Sequence, residues 1–259
     1  MFIDSHCHLD MLDLSRHDHS LDNVIAAASE RQVEQMLCVC VDLNAFESMV
    51  ATAECYRNVW FSAGIHPLHV QESPYDRSRL SALAQNPRVV ALGETGLDYH
   101  YTTETLEQQQ DSFAGHLQLA GELDLPVIVH TRDAREDTIR LIREYGNPDS
   151  AGVLHCFTES LEMAKSALDL GYMISFSGII SFRNAAELRE VVKAVPLERM
   201  LIETDSPYLA PVPHRGKQNQ PAFVADVAAC VAELKGVAIE RVAEQTTANF
   251  HQLFKRTQH

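Results

Sequence analysis

Histidine and acidic residues recur where short apolar stretches end in this sequence of 259 residues. His6 and His8 are separated by one residue, so an extended strand would place both imidazoles on the same face. Glu203 and Asp205 have the same spacing. Imidazoles and carboxylates bind divalent metals, and they also act as general acids and bases. The residue types and their spacing therefore predict metal-assisted hydrolysis.

A set of six residues is predicted to bind metal. A single histidine at a strand end is more often a hydrogen-bonded structural residue. Several strands that deliver such residues to one place are hard to explain by packing, because buried polar groups need partners. The predicted ligands are His6, His8, Glu94, His130, His155 and Asp205. They outnumber the three protein ligands of a typical mononuclear catalytic zinc site, so two ions about 3.5–4 Å apart, joined by a shared carboxylate, fit the set better.

Glu94 lies midway in the order of these residues and is the expected shared carboxylate. The other five divide between the ions: one would take His6, His8 and Asp205, and the other His130 and His155. Mixed imidazole and carboxylate ligation suits Zn, Mn, Fe or Ni better than an all-oxygen Mg site, although Mg can serve with waters. A water shared by two cations is a hydroxide nucleophile near neutral pH. Asp205 is expected to orient this water and move its proton, so Asp205 and Glu94 are the predicted catalytic residues.

A second group of residues is predicted to bind substrate or to support the ligands. Arg132 follows His130 by two residues and should point to the same barrel mouth, where a guanidinium can bind phosphate oxygens. The alternative is a salt bridge to Asp133 or a neighbouring acid. The loops after the last two strands of a barrel often bind phosphate. The predicted group is His66, Arg132, Arg183, Glu203 and Arg215. Aromatic residues after strand ends are candidates for stacking nucleobases: Tyr99, Tyr101, Phe157, Phe182 and Tyr208.

Eight short apolar stretches alternate with amphipathic segments, a pattern typical of buried parallel strands connected by helices. The predicted strands are 2–4, 36–41, 59–63, 89–93, 127–130, 152–155, 173–175 and 200–203. The predicted helices are 21–31, 45–56, 78–85, 104–123, 135–144, 161–170 and 185–194, with two more at 221–235 and 239–254. Eight such units predict an α/β fold, a (β/α)8 TIM-type barrel that forms a single domain over residues 1–259 and gathers the strand ends at one mouth. The alternative is a doubly wound open sheet, but the sequence has no glycine-rich nucleotide-binding motif to support it.

The chain is acidic, with 21 lysine and arginine residues against 36 aspartate and glutamate residues and a formal net charge of −15. This balance excludes a nucleic-acid binder that depends on a wide basic face, but not a nuclease whose positive charge lies in bound metal ions. The six cysteines are scattered without zinc-finger spacing, so we expect reduced thiols and a cytoplasmic location. We expect no secretory signal and no membrane span, and a monomer is the expected state.

Seven motifs along the chain resemble those of the TatD family of metal-dependent hydrolases in the amidohydrolase superfamily. The C-terminal motifs resemble most closely those of its bacterial YcfH-type members. The motifs are DSHCHLD (4–10), GIHP (64–67), GETGLD (93–98), PVIVHTRD (126–133), VLHCF (153–157), ETDSPYLAP (203–211) and PHRGK (213–217). The resemblance covers essentially the whole chain.

This resemblance implies a TIM-type barrel with a dinuclear site for divalent metals. In the family, the first histidine pair, the strand-four glutamate and the strand-eight aspartate hold one metal, which here implies His6, His8, Glu94 and Asp205. The same glutamate and the histidines of strands five and six hold the other metal, which here implies Glu94, His130 and His155. Family members are described as metal-dependent deoxyribonucleases, and the best-studied type has 3′→5′ exonuclease activity on single-stranded DNA, so the resemblance implies DNA as the substrate.

Two other functions remain open from the sequence alone. One is a hydrolase of a small amide, ester or lactone. A closed apolar cavity with few cations would favour it, whereas an open groove with Arg132, Arg183 and Arg215 would favour a nuclease. The other is a metal-bound barrel kept as a binding protein without turnover. The presence of Asp205 argues against that role, because a purely structural site has no need of a general base and an open coordination position.

Overall fold

Eight parallel strands, separated in sequence by helices, form the framework of the computed structural model, which describes residues 1–258. The strands are β1 (Phe2–Cys7), β2 (Val33–Cys38), β3 (Val59–Ala63), β4 (Val89–Asp98), β5 (Val127–Arg132), β6 (Gly152–Leu154), β7 (Met173–Phe176) and β8 (Met200–Ile202). The helices are α1 (Leu21–Glu30), α2 (Phe46–Ala53), α3 (Arg77–Leu83), α4 (Leu106–Leu123), α5 (Arg135–Tyr145), α6 (Leu161–Asp169), α7 (Ala186–Ala194), α8 (Val224–Lys235) and α9 (Ile239–Leu253). No helix in this part of the chain is both long enough and apolar enough to cross a bilayer.

The strands pair in sequence order from β1 to β8, which is the topology of a (β/α)8 TIM-type barrel and confirms the predicted fold class. The ring is nearly closed, because β8 meets β1 just beyond its end. There the backbone N–H of Asp205 donates to the carbonyl oxygen of His6 at 2.9 Å. The buried carboxylate of Asp4 strengthens this junction, since it accepts hydrogen bonds from both the backbone N–H and the hydroxyl of Thr204.

Two apolar layers hold the barrel together, one between the strands and the surrounding helices and one inside the barrel. The inner layer is formed by buried strand side chains that include Ile3, Leu37, Val90, Ile128, Val153 and Leu201. Phe250, Leu253 and Phe254, at the end of α9, complete this layer. Asn249 of α9 donates to the carbonyl oxygen of Met200 at the start of β8, so the helix covers the amino-terminal end of the strands. The opposite end of the barrel is the one that carries the polar residues.

The strand limits differ most from the prediction where polar residues continue a strand. The sequence predicts strand four at 89–93, whereas β4 continues to Asp98, which lies opposite Arg132 of β5. Polar residues also begin β2: the predicted strand 36–41 is wrong by three residues, because the strand spans Val33–Cys38. An apolar run marks only the part of a strand that is buried by apolar side chains. The other strand and helix limits lie within three residues of the prediction.

Candidate metal centre

The six residues that the sequence predicts as ligands meet at the carboxyl-terminal mouth of the barrel. They lie in or just after five strands: His6 and His8 at β1, Glu94 in β4, His130 in β5, His155 after β6 and Asp205 after β8. Their side chains are between 0% and 19% exposed. A cavity of about 450 Å³ gives solvent access to the group. Because parallel strands end at the same rim, residues far apart in sequence come together here.

A bulge in β4 turns Glu94 into the barrel mouth. Between Leu92 and Thr95, β4 advances three residues while β5 advances two, so one extra residue is accommodated there. Gly93 permits this geometry: its φ is +132°, and a Cβ on it would lie 2.6 Å from the carbonyl oxygen of Ile128. A larger residue would force β4 away from β5. The glycine before Glu94 thus decides where the carboxylate points.

Three ligand-type atoms form a compact group at the junction of β1 and β8. Nε2 of His6 and Nε2 of His8 are 3.3 Å apart, and Oδ1 of Asp205 lies 3.7 Å from the first and 3.5 Å from the second. In a tetrahedral zinc site, ligand atoms about 2.0–2.1 Å from the ion are about 3.3–3.4 Å from one another. The spacing of these three atoms is close to that geometry, so a single cation fits between them.

Glu94 presents its two carboxylate oxygens to different imidazoles. Oε2 lies 3.3 Å from Nε2 of His6, which belongs to the group at the β1–β8 junction. Oε1 lies 2.7 Å from Nε2 of His155 and 3.1 Å from Nδ1 of His130. A carboxylate that bridges two ions offers one oxygen to each. The geometry therefore allows a pair of ions with Glu94 between them.

Oxygen acceptors behind the histidine rings decide which ring nitrogen faces the site. Nδ1 of His8 donates to the carbonyl oxygen of Val39 at 3.0 Å. Nε2 of His130 donates to Oδ2 of Asp98 at 3.0 Å. In its neutral form, each of these imidazoles carries its one hydrogen on the outer nitrogen, so the inner nitrogen then has a lone pair that points into the site.

His155 has the same arrangement, with Glu203 as its acceptor. Nδ1 of His155 lies 3.3 Å from Oε1 of the buried Glu203, which also accepts a 2.7 Å hydrogen bond from the backbone N–H of Cys156. When His155 is neutral, its inner lone pair faces Oε1 of Glu94, and two acceptors that face each other repel unless a proton or a cation lies between them. The donor set fits a divalent cation, and imidazoles oriented in this way are typical of metal sites.

Burial and charge act in opposite directions on the acids of the centre. Burial raises the pKa of Glu94, but the neighbouring imidazoles, His155 foremost, outweigh it and hold this pKa well below its ordinary value. Burial also raises the pKa of Asp205, but the hydrogen bond from His8 and the nearby imidazole charges bring it below its ordinary value. Both carboxylates are therefore ionised at neutral pH, which is the form that binds a cation.

Asp98 has a place in the centre that the sequence did not indicate. While Oδ2 holds His130, Oδ1 accepts hydrogen bonds from the backbone N–H groups of His100 and Tyr101 at 3.0 and 2.9 Å. The backbone N–H of Asp98 donates to Oε1 of Gln109 in α4 at 2.8 Å. The carboxylate is thus fixed from both sides before it orients the imidazole. In the sequence, Asp98 lies beyond the predicted strand 89–93, so its position does not indicate a partner.

His66 lines the same cavity as the predicted ligands, with 13% of its side chain exposed. Its Nε2 is 3.4 Å from Oε1 of Glu94 and 3.4 Å from Nδ1 of His130. Its Nδ1 accepts a hydrogen bond from the backbone N–H of Leu68 at 3.2 Å. Burial lowers the pKa of His66 to about 3, so its imidazole is neutral at physiological pH.

The three predicted arginines lie in different places. Arg132 lines the cavity, and its guanidinium carbon is 5.1 Å from the ring centre of Tyr101. The guanidinium of Arg215 packs on Phe182 at 3.8 Å, and Arg183 is exposed. Within the residues that the structure describes, Arg183 and Arg215 are not part of the cavity lining. The loops after β7 and β8 therefore bring neither of these two cations to the metal centre.

The aromatic residues that the sequence singles out also separate. Tyr101 and Tyr208 lie at the mouth, 65% and 55% exposed. Phe157 is buried and packs edge-on against Phe176, so the prediction that it stacks a base is wrong. The hydroxyl of Tyr99 donates to a carboxylate of α5, and its ring lies outside the cavity lining among the described residues.

A (β/α)8 barrel whose carboxyl-terminal mouth gathers histidines and carboxylates defines the class of metal-dependent barrel hydrolases. The sequence profile of the family described as TatD related DNase matches residues 3–255 of this chain. The chain belongs to the TatD family and is a metal-dependent hydrolase. The resemblance that its motifs indicate is thereby confirmed.

Several known proteins are similar to it over nearly their full length. The chain is 56% identical over 252 residues to the uncharacterized metal-dependent hydrolase YcfH of Escherichia coli K12, with 97% of this chain and 95% of that protein covered. It is 35% identical over 249 residues to a Klebsiella pneumoniae protein named 3′-5′ ssDNA/RNA exonuclease TatD, with 94% of this chain and 95% of that protein covered. Among solved structures, the TatD homologue YjjV of Escherichia coli K12 is similar with a TM-score of 0.90 and 31% identity, covering 98% of both chains.

Proposed function

We propose that this protein is a deoxyribonuclease that removes nucleotides from the 3′ ends of single-stranded DNA. The observation that carries the proposal is the pair of exposed tyrosines, Tyr101 and Tyr208, which line the cavity of the candidate metal centre together with Arg132. Aromatic faces stack unpaired bases, and a guanidinium binds phosphate oxygens. A volume of about 450 Å³ suits one terminal nucleotide rather than a duplex. The family relative named as an exonuclease supports the same activity.

The six clustered residues are the metal ligands in this proposal. Two divalent cations, from among Mg, Mn, Zn, Fe and Ni, would supply polarisation of the phosphodiester and a lowered pKa for the attacking water when bound. One would be held by His6, His8 and Asp205, the other by His130 and His155, and both by Glu94. The support is that each oxygen of Glu94 faces a different set of imidazoles, three of which are oriented by outer hydrogen bonds.

Asp205 is the proposed proton acceptor. Its Oδ1 lies within 3.7 Å of Nε2 of His6 and of His8, while 15% of its side chain is exposed to the cavity. An ionised carboxylate at this position can take a proton from the attacking water and return it to the leaving oxygen. Glu94 contributes its negative charge, and Glu203 positions the ring of His155. Arg132 is the proposed phosphate-binding cation.

Hydrolysis of a small amide, ester or lactone is the second candidate. Of the three predicted arginines, only Arg132 lines the cavity in the described part of the chain. A net charge of −15 further limits the affinity for a polynucleotide. A small neutral substrate would need fewer cations than a nucleic acid.

A labelled oligonucleotide distinguishes the two candidates. Metal-stripped protein supplied with Mn or Mg should shorten a 5′-labelled single strand stepwise from its 3′ end, and it should not do so without metal. Tyr101→Ala should raise KM about 10-fold, because base stacking contributes about 1–3 kcal/mol. The matched control, Tyr101→Phe, keeps the ring and should keep KM. A metal-loaded protein that leaves DNA intact but turns over an ester or lactone would transfer the assignment to the second candidate.

We further propose that the chain acts as a monomer of one domain over residues 1–259 in the cytoplasm. One barrel supplies all six candidate ligands, so the centre needs no residue from a second copy. The six cysteines are all free thiols, as expected in a reducing compartment. Light scattering of the metal-loaded protein tests the monomer, and a stable dimer would contradict it.

A further inference from the structure

His66 differs from the neighbouring histidines in what faces its outer ring nitrogen. Behind the rings of His8, His130 and His155 lies an oxygen that can only accept, so the outer nitrogen carries the hydrogen. Behind His66 lies a donor, the backbone N–H of Leu68, 3.2 Å from Nδ1. A peptide N–H cannot accept a hydrogen bond, so Nδ1 of His66 carries a lone pair.

An imidazole whose Nδ1 is bare carries its hydrogen on Nε2, so the Leu68 N–H places the hydrogen of His66 there. This nitrogen faces the site, 3.4 Å from Oε1 of Glu94 and 3.4 Å from Nδ1 of His130. By distance alone, these three residues form a group that could hold a cation. A ring nitrogen that carries a hydrogen has no lone pair to give to a metal. His66 is therefore close enough to the other two residues to share a cation with them, but its Nε2 cannot bind one.

The local backbone holds the ring in this state. His66 is the N-cap of a short 3-10 turn, Pro67–His69, and Nδ1 is the acceptor of the cap. The backbone N–H of His66 donates to the carbonyl oxygen of Val41 at 2.9 Å. The preceding residue, Ile65, donates from its backbone N–H to Nε2 of the buried His116 at 3.3 Å. Rotation of the ring to present Nδ1 to the site would break the cap.

We propose that His66 is a substrate-binding residue whose Nε2–H donates a hydrogen bond to a non-bridging oxygen of the scissile phosphate. This inference rests on the proposed phosphodiesterase function of the same site. The N–H lies at the cavity wall beside Oε1 of Glu94, where the phosphate would approach the second ion position. A fixed donor aimed at an oxygen that gains negative charge stabilises the transition state more than the ground state.

The position of the hydrogen is tested directly by long-range ¹H–¹⁵N NMR correlations of the zinc-loaded protein. His66→Asn removes one set of ring signals and so assigns them. We expect a protonated Nε2 and a bare Nδ1 for His66, whereas His8 and His155 should show a protonated Nδ1. A bare Nε2 on His66 would overturn the proposal.

Two substitutions separate a donor from a ligand. Asparagine keeps an acceptor for the Leu68 N–H but does not reach the Nε2 position, whereas glutamine places an amide N–H near it. His66→Asn should keep the wild-type zinc content, bind inorganic phosphate about 10-fold more weakly and lower kcat for bis(p-nitrophenyl) phosphate about 100-fold, the scale for loss of one such donor. His66→Gln should recover most of the phosphate affinity. The control at a proposed ligand, His130→Asn, should lose zinc.

The outcomes separate this proposal from the proposed function. If His66→Asn loses zinc as His130→Asn does, His66 is a ligand and the proposal fails. It also fails if phosphate binding and turnover of His66→Asn match the wild type. Failure of the proposed function has a different result: the wild type then cleaves no phosphodiester. In that case, weaker phosphate binding by His66→Asn at full zinc content still supports the donor role.

Discussion

Oδ2 of Asp98 lies 3.0 Å from Nε2 of His130, while Nδ1 of the same ring lies 3.1 Å from Oε1 of Glu94. Each nitrogen of this imidazole therefore faces a carboxylate. Burial lowers the pKa of His130, but the hydrogen bonds to the two carboxylates outweigh it and raise the pKa above its ordinary value. A cation can take the place of the proton on Nδ1 and leave the bond to Asp98 intact. Asp98 is thus the support of one proposed metal ligand.

Asp98→Asn should weaken metal binding without unfolding the protein. The new amide can donate to Nε2 of His130, which would move the hydrogen of the ring to Nδ1 and remove the inner lone pair. Loss of such an outer partner typically lowers metal affinity about 10- to 100-fold. Metal analysis after dialysis against graded EDTA should show loss of one ion at chelator concentrations that leave the wild type loaded. The control is Asp133→Asn at an exposed acid paired with His100, and equal retention by Asp98→Asn and the wild type would contradict the role.

Asp205→Asn should remove most of the hydrolysis, because an amide cannot accept the proton of the attacking water. Loss of a general base typically lowers a rate about 100- to 10,000-fold. The rate should be measured at saturating Mn, so that weaker metal binding is not the cause. Because the pKa of Asp205 lies below its ordinary value, protonation of this carboxylate should reduce wild-type activity only in acid. A variant as active as the wild type would exclude Asp205 from the mechanism.

His116 should make folding stability depend on pH. Burial lowers the pKa of this α4 imidazole from 6.5 to about 4. The unfolded chain therefore binds the proton at a higher pH than the folded chain does, so protonation favours unfolding. The stabilisation is complete above about pH 6.5 and is lost as the pH falls toward about 4, with a total of about 3 kcal/mol.

This pH dependence is measured by urea unfolding of the wild type and His116→Gln at about pH 7.5 and about pH 5. Glutamine does not titrate in this range, and its amide oxygen can still accept the hydrogen bond from Ile65. Between these two pH values, the free energy of unfolding of the wild type should fall by about 2 kcal/mol more than that of the variant. Parallel falls in the two proteins would show that His116 is not the titrating group.

Phe250→Ala should destabilise the protein, because it removes packing at the amino-terminal end of the strands. Phe250 is fully buried in the inner apolar layer, with its ring centre 4.7 Å from that of Phe254. Removal of a buried phenyl ring typically lowers the free energy of unfolding by about 3–5 kcal/mol. Urea unfolding measures the difference, and Val237→Ala at an exposed position before α9 is the control. A loss no greater than that of the control would show that α9 does not close the barrel.

The candidate ligands could be predicted because their signal is local. His130 and His155 each follow an apolar strand, where an ionisable side chain has no packing role of its own. Their convergence then follows from the topology, since a parallel barrel brings every strand end to one mouth. The same reasoning predicts that Arg183 and Arg215 lie near the mouth, but neither lines the cavity among the described residues. They lie in long loops, where the direction of a side chain is not fixed as it is in a strand.

Asp98 and the state of His66 could not be predicted, because each depends on a contact between separate segments. Nothing in the sequence pairs Asp98 with His130, and Asp98 lies beyond the predicted strand 89–93. The donor character of His66 depends on whether a peptide N–H or a carbonyl lies behind its ring, and that depends on the turn that follows it.

The sequence by itself determined the barrel, the order of its strands and the types of residue at the mouth, because periodicity and side-chain chemistry are properties of short segments. The tertiary structure decided which atoms face one another. It directs Oε1 and Oε2 of Glu94 to different imidazoles and turns Nε2 of His66 toward Glu94 and His130. Those directions depend on a bulge and a capped turn whose geometry is set by packing between distant parts of the chain.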